Sequence, residues 1–193
     1  MEGGKDKSMN KLFLDMDSVI TDSASAYCET YNEIYRFTPG FIPADHTKNQ
    51  KWDFHEVCPL VESPLYIFSH PLFFKLLKFM PDAEEVIKEL QNKYQVIIVS
   101  IGCYDNISLK AQFIKNKMPY IKDAILLTNQ GIKMDKGIVN MYYPGSIFID
   151  DVKSNLDSSN AERKILYGQK FDWNKEWTGE HCETWNDIKE RLL

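Results

Sequence analysis

Lys11-Leu-Phe-Leu-Asp-Met-Asp17 is a short apolar run that ends in two carboxylates. That pattern predicts a buried strand stopping at a polar edge. The same signature returns further along. Gln95-Val-Ile-Ile-Val-Ser100, Ala124-Ile-Leu-Leu-Thr128, Ser146-Ile-Phe-Ile-Asp-Asp151 and Lys164-Ile-Leu-Tyr167 are apolar runs of strand length. Helical spacing lies between them, over Asp22 to Phe37, Asp82 to Leu90 and Ile107 to Lys117, and Trp185 to Leu193 closes the chain. Asp22 or Ser23 suits an N-cap. Glu84 and Glu85 sit where a helix macrodipole favours acids, and Pro81 stands where a first turn tolerates proline. Strands alternating with helices predict an α/β fold with a parallel sheet flanked by helices on both faces. Such sheets bind ligands beyond the carboxyl ends of their strands, so chemistry is sought there.

Two stretches depart from the alternation. Met1 to Asn10 is polar with Gly3-Gly4 and reads as a flexible tail. It has no apolar core of signal-peptide length. Thr38 to Met80 is broken by Pro39, Pro43, Pro59, Pro64 and Pro71 and is rich in aromatics, which suits short helices joined by turns.

A chain of 193 residues with 44% hydrophobic and 26% charged residues is enough for one domain with a full core. Its net charge of -5 argues against a duplex nucleic-acid groove, which needs a basic surface. No run approaches the roughly 20 apolar residues of a membrane span. Cys28, Cys58, Cys103 and Cys182 form no Cys-x-x-Cys pair, so a zinc site is not indicated, and reduced thiols in a cytoplasmic protein are the simplest expectation.

The strand ends carry the chemistry. Asp15 and Asp17, two apart on a strand, point to one side. One carboxylate can attack phosphorus and the other can serve as acid and base. Ser100, before Ile101 and Gly102, offers a hydroxyl and turn amides to an anion. Lys136, in Met134-Asp-Lys-Gly137, offers a point charge. Asp150 and Asp151 would repel each other without a cation, and Mg²⁺ takes a few carboxylates with waters and phosphate. Taken singly, each has a bland reading: capping acids, an ordinary turn, a solvated lysine. Together they supply nucleophile, acid/base, hydroxyl, cation and metal ligands, the parts of phosphoryl transfer. No Gly-x-x-x-x-Gly-Lys-Ser/Thr loop is present, which disfavours a P-loop kinase.

Asp15-Met-Asp17-Ser-Val, then Ser100, Lys136 and Asp150-Asp151, resembles in order the four-motif signature of the haloacid-dehalogenase superfamily, over nearly the whole chain. Within it the chain is most similar to the 5′(3′)-deoxyribonucleotidases. Asp15 to Asp22 resembles their first motif, and Phe73-Phe74 ahead of Pro81-Asp-Ala resembles their junction between cap and core. Asp135-Lys136 and Ile147-Phe-Ile-Asp-Asp151 fit the third and fourth motifs, and Asp172-Trp-Asn174 and Trp185-Asn-Asp-Ile188 resemble their C-terminal region. The resemblance implies a Rossmann-like core over residues 11–22 and 80–193, with a small helical cap, 23–79, inserted after the first strand. It implies Asp15 as nucleophile and Mg²⁺ ligand, and Asp17 as acid/base with its carbonyl on the metal. Ser100 and Lys136 would hold phosphoryl oxygens. Asp151 would ligate Mg²⁺, with Asp150 direct or one shell out. Three positions depart from the mammalian enzymes: Ser18 replaces glycine, Ser23 stands near an aromatic that faces the base, and Val152 replaces arginine.

The cap aromatics suit a small core, except Trp52 and Phe54, which lie in the polar stretch Lys48 to Phe54 and suit contact with substrate. His46, His55, His70 and His181 lack metal-ligand spacing, and nothing marks Cys103 as an activated thiolate. The leading expectation is a Mg²⁺-dependent phosphatase acting on (deoxy)nucleoside monophosphates, foremost the deoxyribonucleotides, through an aspartyl-phosphate. Two others stay open: the same chemistry on a sugar phosphate or a polynucleotide 3′-phosphate, and a silent phosphate-binding module.

Overall fold

The computed structural model describes residues 9–129 and 134–193. The tail expected over Met1 to Asn10 lies outside the described residues up to Ser8, and Asn10 already opens the first strand. The chain runs β1 (Asn10–Leu14), α1 (Ser23–Tyr35), α2 (Pro64–Phe68), α3 (Pro71–Leu76), α4 (Ala83–Leu90), β2 (Tyr94–Gly102) and α5 (Tyr104–Lys117). It continues with β3 (Asp123–Thr128), β4 (Ile147–Asp150), α6 (Lys153–Ser158), β5 (Arg163–Tyr167), β6 (Glu180–Cys182) and α7 (Trp185–Leu192). Short 3-10 turns cover His46–Lys48 and Lys136–Ile138.

All pairings in the sheet are parallel, in the order β3-β2-β1-β4-β5-β6. The chain leaves β1 toward one edge and later returns to β4 on its other side. A crevice therefore opens beyond the carboxyl ends of β1 and β4, where strand order reverses. Alternate residues face opposite layers. Leu12, Leu14, Val96, Ile98 and Ile149 pack with α1, α4 and α7 in the larger core. Phe13, Ile97, Val99 and Phe148 pack with Leu156 of α6 and with Val139 and Met141 in the smaller one. The parallel α/β sheet is thus as the apolar runs predicted, with a larger core on one face than on the other.

Several boundaries differ from the sequence reading. β1 ends at Leu14, because the chain turns at once after Asp15. β2 continues through Ile101 and Gly102, since β3 lies alongside and pairs Ser100 with Leu126 and Gly102 with Thr128. α5 accordingly begins at Tyr104. Pro81 precedes the N-cap of α4 rather than opening the helix; Asp82 takes that place with a left-handed φ of 62°, its carboxylate held by Asn186. The three-residue β6 and the six-residue α6 are too short for periodicity to show.

Between α1 and α4 lie short helices and turns, as the prolines predicted. The two ends of this segment are stapled together. Asp22 N donates to Lys78 O (2.9 Å), Met80 N donates to Ile20 O (2.9 Å), and Thr21 bridges Phe79. Among the described residues no helix is long and apolar enough to cross a membrane.

Candidate active site

Asp15 is the first residue past β1, and its amide still donates to Ile149 O (2.9 Å). The chain then coils on itself: Ile20 N and Thr21 N both donate to Met16 O (3.0 and 3.0 Å), and Ser18 sits in the left-handed region at φ 56°. Asp15 and Asp17 therefore share a cavity through this turn and not through the pleat of a strand, as the sequence reading had it.

Lys136 is buried, and its ammonium joins two carboxylates. Asp15 Oδ1 and Asp150 Oδ2 each lie 2.6 Å from Nζ. Asp15 Oδ1 also accepts from Met16 N (2.7 Å), which leaves Oδ2 as the freer oxygen. Asp150 Oδ1 accepts from Val152 N (2.8 Å) and from the Asn155 amide (3.2 Å). Asp150 is fully buried, and its carboxylate holds Lys136 and the start of α6. Burial works against the charged lysine, yet Asp15 and Asp150 outweigh it and raise its pKa. Burial pushes the Asp15 carboxyl up to about 7 against the pull of Lys136, with Asp150 and Asp17 adding to the rise. Burial, then Asp150 and Asp15, push Asp151 well above the ordinary carboxylate range.

Asp15, Asp150 and Asp151 each offer one oxygen within 4.8 Å of the others. Three acids this close are mutually repulsive, and one lysine compensates two of them. An oxygen-only donor set with a net negative charge fits a hard divalent cation. The Asp17 carboxylate is not in this cluster. Its Oδ1 accepts from Ser23 Oγ (3.1 Å) and its Oδ2 is held by Lys110.

Lys110 is the residue that the sequence reading missed. It is 1% exposed, and besides Asp17 it donates to Ser100 Oγ (2.8 Å) and Ile101 O (3.0 Å). One ammonium thus links the Asp17 carboxylate to the Ser100 hydroxyl. Its sequence signal is faint but real: the buried positions of α5 are Asn106, Lys110, Phe113 and Ile114, so a lysine occupies the apolar stripe.

Asp15, Asp17, Ser100, Lys136 and Asp151 border one cavity of about 730 Å³, and Trp52 and Phe54 border it from the inserted segment. Trp52 is 55% exposed. Phe54 departs from the expected free face. It is 7% exposed, its ring stacks on Tyr27 at 4.1 Å, and Phe68 meets it edge-on. Its backbone stands at a left-handed φ of 58°, and its ring is turned inward although the stretch that carries it is polar.

A family model described as 5′ nucleotidase, deoxy (pyrimidine), cytosolic type C protein matches residues 8–193. The chain belongs to this nucleotidase family. A 5′(3′)-deoxyribonucleotidase from Clostridium acetobutylicum is 32% identical over 165 residues, covering 82% of this chain and 83% of the relative. In fold, the chain resembles a predicted phosphatase from Clostridium acetobutylicum with TM-score 0.68, at 14% identity over 96% of this chain and 99% of that one. It also resembles a haloacid-dehalogenase-like hydrolase from Streptococcus pneumoniae with TM-score 0.64, at 12% identity over 96% and 99% of the two chains. This nucleotidase is therefore a phosphoric monoester hydrolase on a haloacid-dehalogenase-like fold.

The three positions set apart in the sequence have defined settings in the fold. Ser18 takes a left-handed conformation, which glycine adopts at no steric cost and other residues rarely adopt. Ser23 is buried against Thr21 and Asp17 and braces the second carboxylate. Val152 brings no charge to the cavity; its amide caps Asp150.

Proposed function

We propose that this nucleotidase hydrolyses deoxyribonucleoside monophosphates in a Mg²⁺-dependent reaction through an aspartyl-phosphate on Asp15. The observation that carries the proposal is the arrangement of Asp15 and Asp17. Both border one cavity, and each carboxylate is tied to its own buried lysine, Asp15 to Lys136 and Asp17 to Lys110, which also donates to Ser100 Oγ. Asp15 Oδ2 attacks phosphorus as the bond to the nucleoside oxygen breaks, and Asp17 delivers a proton to that oxygen. Asp17 then takes a proton from the water that attacks the acyl-phosphate, releasing phosphate and restoring Asp15. Ser100 and Lys136 orient the phosphoryl oxygens, and Lys110 holds Asp17 and Ser100 in register. A Mg²⁺ held by Asp15 and Asp151, with Asp150 buttressing, would supply positive charge to the phosphoryl group.

The segment from Ser23 to Phe79 acts in this reading as a cap over the core of residues 11–22 and 80–193. Its Trp52 offers a flat apolar face to a base, and Phe54 contributes what little surface Tyr27 leaves free.

Replacing Asp15 by Asn tests the nucleophile. Turnover of thymidine 5′-monophosphate is expected to vanish with the fold intact by circular dichroism. Mass spectrometry of quenched wild-type enzyme is expected to place the phosphoryl label on Asp15. A label on Ser100 or Cys103 overturns the assignment.

A further inference from the structure

The loop from Gly168 to Asn174, between β5 and β6, carries two aromatic rings that belong to neither apolar core. Phe171 and Trp173 stack on each other at 4.5 Å with planes 13° apart, and both border the cavity. Aromatic rings left partly in water are held by something other than hydrophobic burial. Here the holder is Asn174, which is 1% exposed. Its Oδ1 accepts from Phe171 N (2.7 Å), and its Nδ2 donates to Gln169 O (3.2 Å) and to Asp151 O (2.9 Å). Every strong bond that this amide makes serves the loop or the backbone of a site carboxylate. Trp52 of the cap borders the same cavity.

We infer that the Phe171–Trp173 pair is the core-side wall that receives the base of the substrate, opposite Trp52, and that Asn174 is the positioning residue that fixes this wall to the backbone of Asp151. The inference rests on the nucleotidase reading and extends it: the leaving group carries a flat aromatic system, read from the core as well as from the cap. A ring stacked on an aromatic wall gains apolar contact without any demand on its hydrogen-bonding pattern, so the wall selects for a base over a bare sugar.

The test compares thymidine 5′-monophosphate with 2-deoxyribose 5-phosphate, which is the same ester without the base. Phe171→Ala is expected to raise KM for the nucleotide at least about fivefold, the lower end of what base stacking contributes. KM for the sugar phosphate should stay within about twofold, and Phe171→Tyr should restore the wild-type ratio. Asn174→Ala should raise the nucleotide KM in the same way. Phe171→Ala combined with Asn174→Ala should add little to either alone, because both remove one wall. A wild-type enzyme with no preference for the nucleotide overturns the nucleotidase reading and the wall with it. A wild-type preference that Phe171→Ala leaves unchanged overturns the wall alone. Losses equal on both substrates, or fully additive in the double variant, overturn the roles of Phe171 and Asn174 respectively.

Discussion

Lys136 stands between two buried carboxylates, and that position decides what its loss would do. Removing the ammonium leaves Asp15 and Asp150 buried without their shared counter-ion. Breaking a buried ion pair in this way costs about 3–5 kcal/mol. Lys136→Ala is therefore expected to lower the melting temperature as well as kcat/KM. Added Mg²⁺ should recover part of the stability and little of the activity, as thermal denaturation with and without chelator would show. A wild-type melting curve and wild-type kinetics would reduce Lys136 to a bystander. Lys110 makes a different prediction, because its partners are Asp17 and Ser100. Lys110→Met keeps the length of the side chain and removes the charge that holds Asp17, the proposed acid/base. It is expected to lower kcat by about 10²-fold or more, the scale of general acid–base help, with a smaller change in KM. Unchanged kcat would mean that Ser23 alone positions Asp17.

The elements explain why these side chains meet. β1 and β4 lie side by side, and their ends deliver Asp15 and Asp150 to one lysine. β2 runs two residues past Ser100, which sets that hydroxyl inside the strand and opposite the buried stripe of α5 that carries Lys110. The inserted segment packs its aromatics inward: Tyr27 on Phe54, Tyr31 on Phe41, Phe68 on Phe73. Trp52 is left out of both cores and borders the cavity. Trp52→Ala should accordingly lower kcat/KM for nucleotides far more than for a small aryl phosphate. Parallel assays of the two substrates decide it, and equal losses would assign Trp52 to the structure of the cap. Asn106 Nδ2 donates to Phe68 O (2.7 Å) and Ser69 Oγ lies 3.0 Å from Cys103 Sγ, so α2 is tied to the start of α5 beside the phosphate-binding candidates.

At the scale of the molecule, the fold brings Asp15 to the adjacent pair Asp150 and Asp151, from which the unfolded chain keeps it apart. A cation that binds the gathered acids and not the open chain stabilises the fold by mass action, by about 2.7 kcal/mol at a hundredfold excess over its dissociation constant. Mg²⁺ is thus expected to raise the melting temperature of the wild-type protein, and Asp151→Asn to abolish the rise. Chelation should abolish hydrolysis of an aryl phosphate and Mg²⁺ should restore it. Full activity in excess chelator would sink the metal-dependent mechanism.

Apolar runs of strand length, acids and a serine at their ends, and helical spacing between them are local properties of the chain. For that reason the parallel sheet, the place to look for chemistry, the residues Asp15, Asp17, Ser100, Lys136, Asp150 and Asp151, and the resemblance to deoxyribonucleotidases could be read without coordinates. Local pattern does not report which side chains meet after the crossovers close. Lys110 reaches Asp17 across 93 positions of sequence, and its neighbours in α5 give only a lysine in an apolar stripe. Phe54, in a polar stretch, turns inward, with its backbone in a left-handed conformation and its ring stacked on Tyr27. The Asn174 clasp joins a loop after β5 to the backbone after β4, a contact set by strand order and register. The sequence by itself determined which chemical groups stand at the strand ends. Only the tertiary structure decided which of them are paired, which are buried and which face the cavity, because hydrogen bonds and ion pairs depend on distances that the fold sets between residues far apart in the chain.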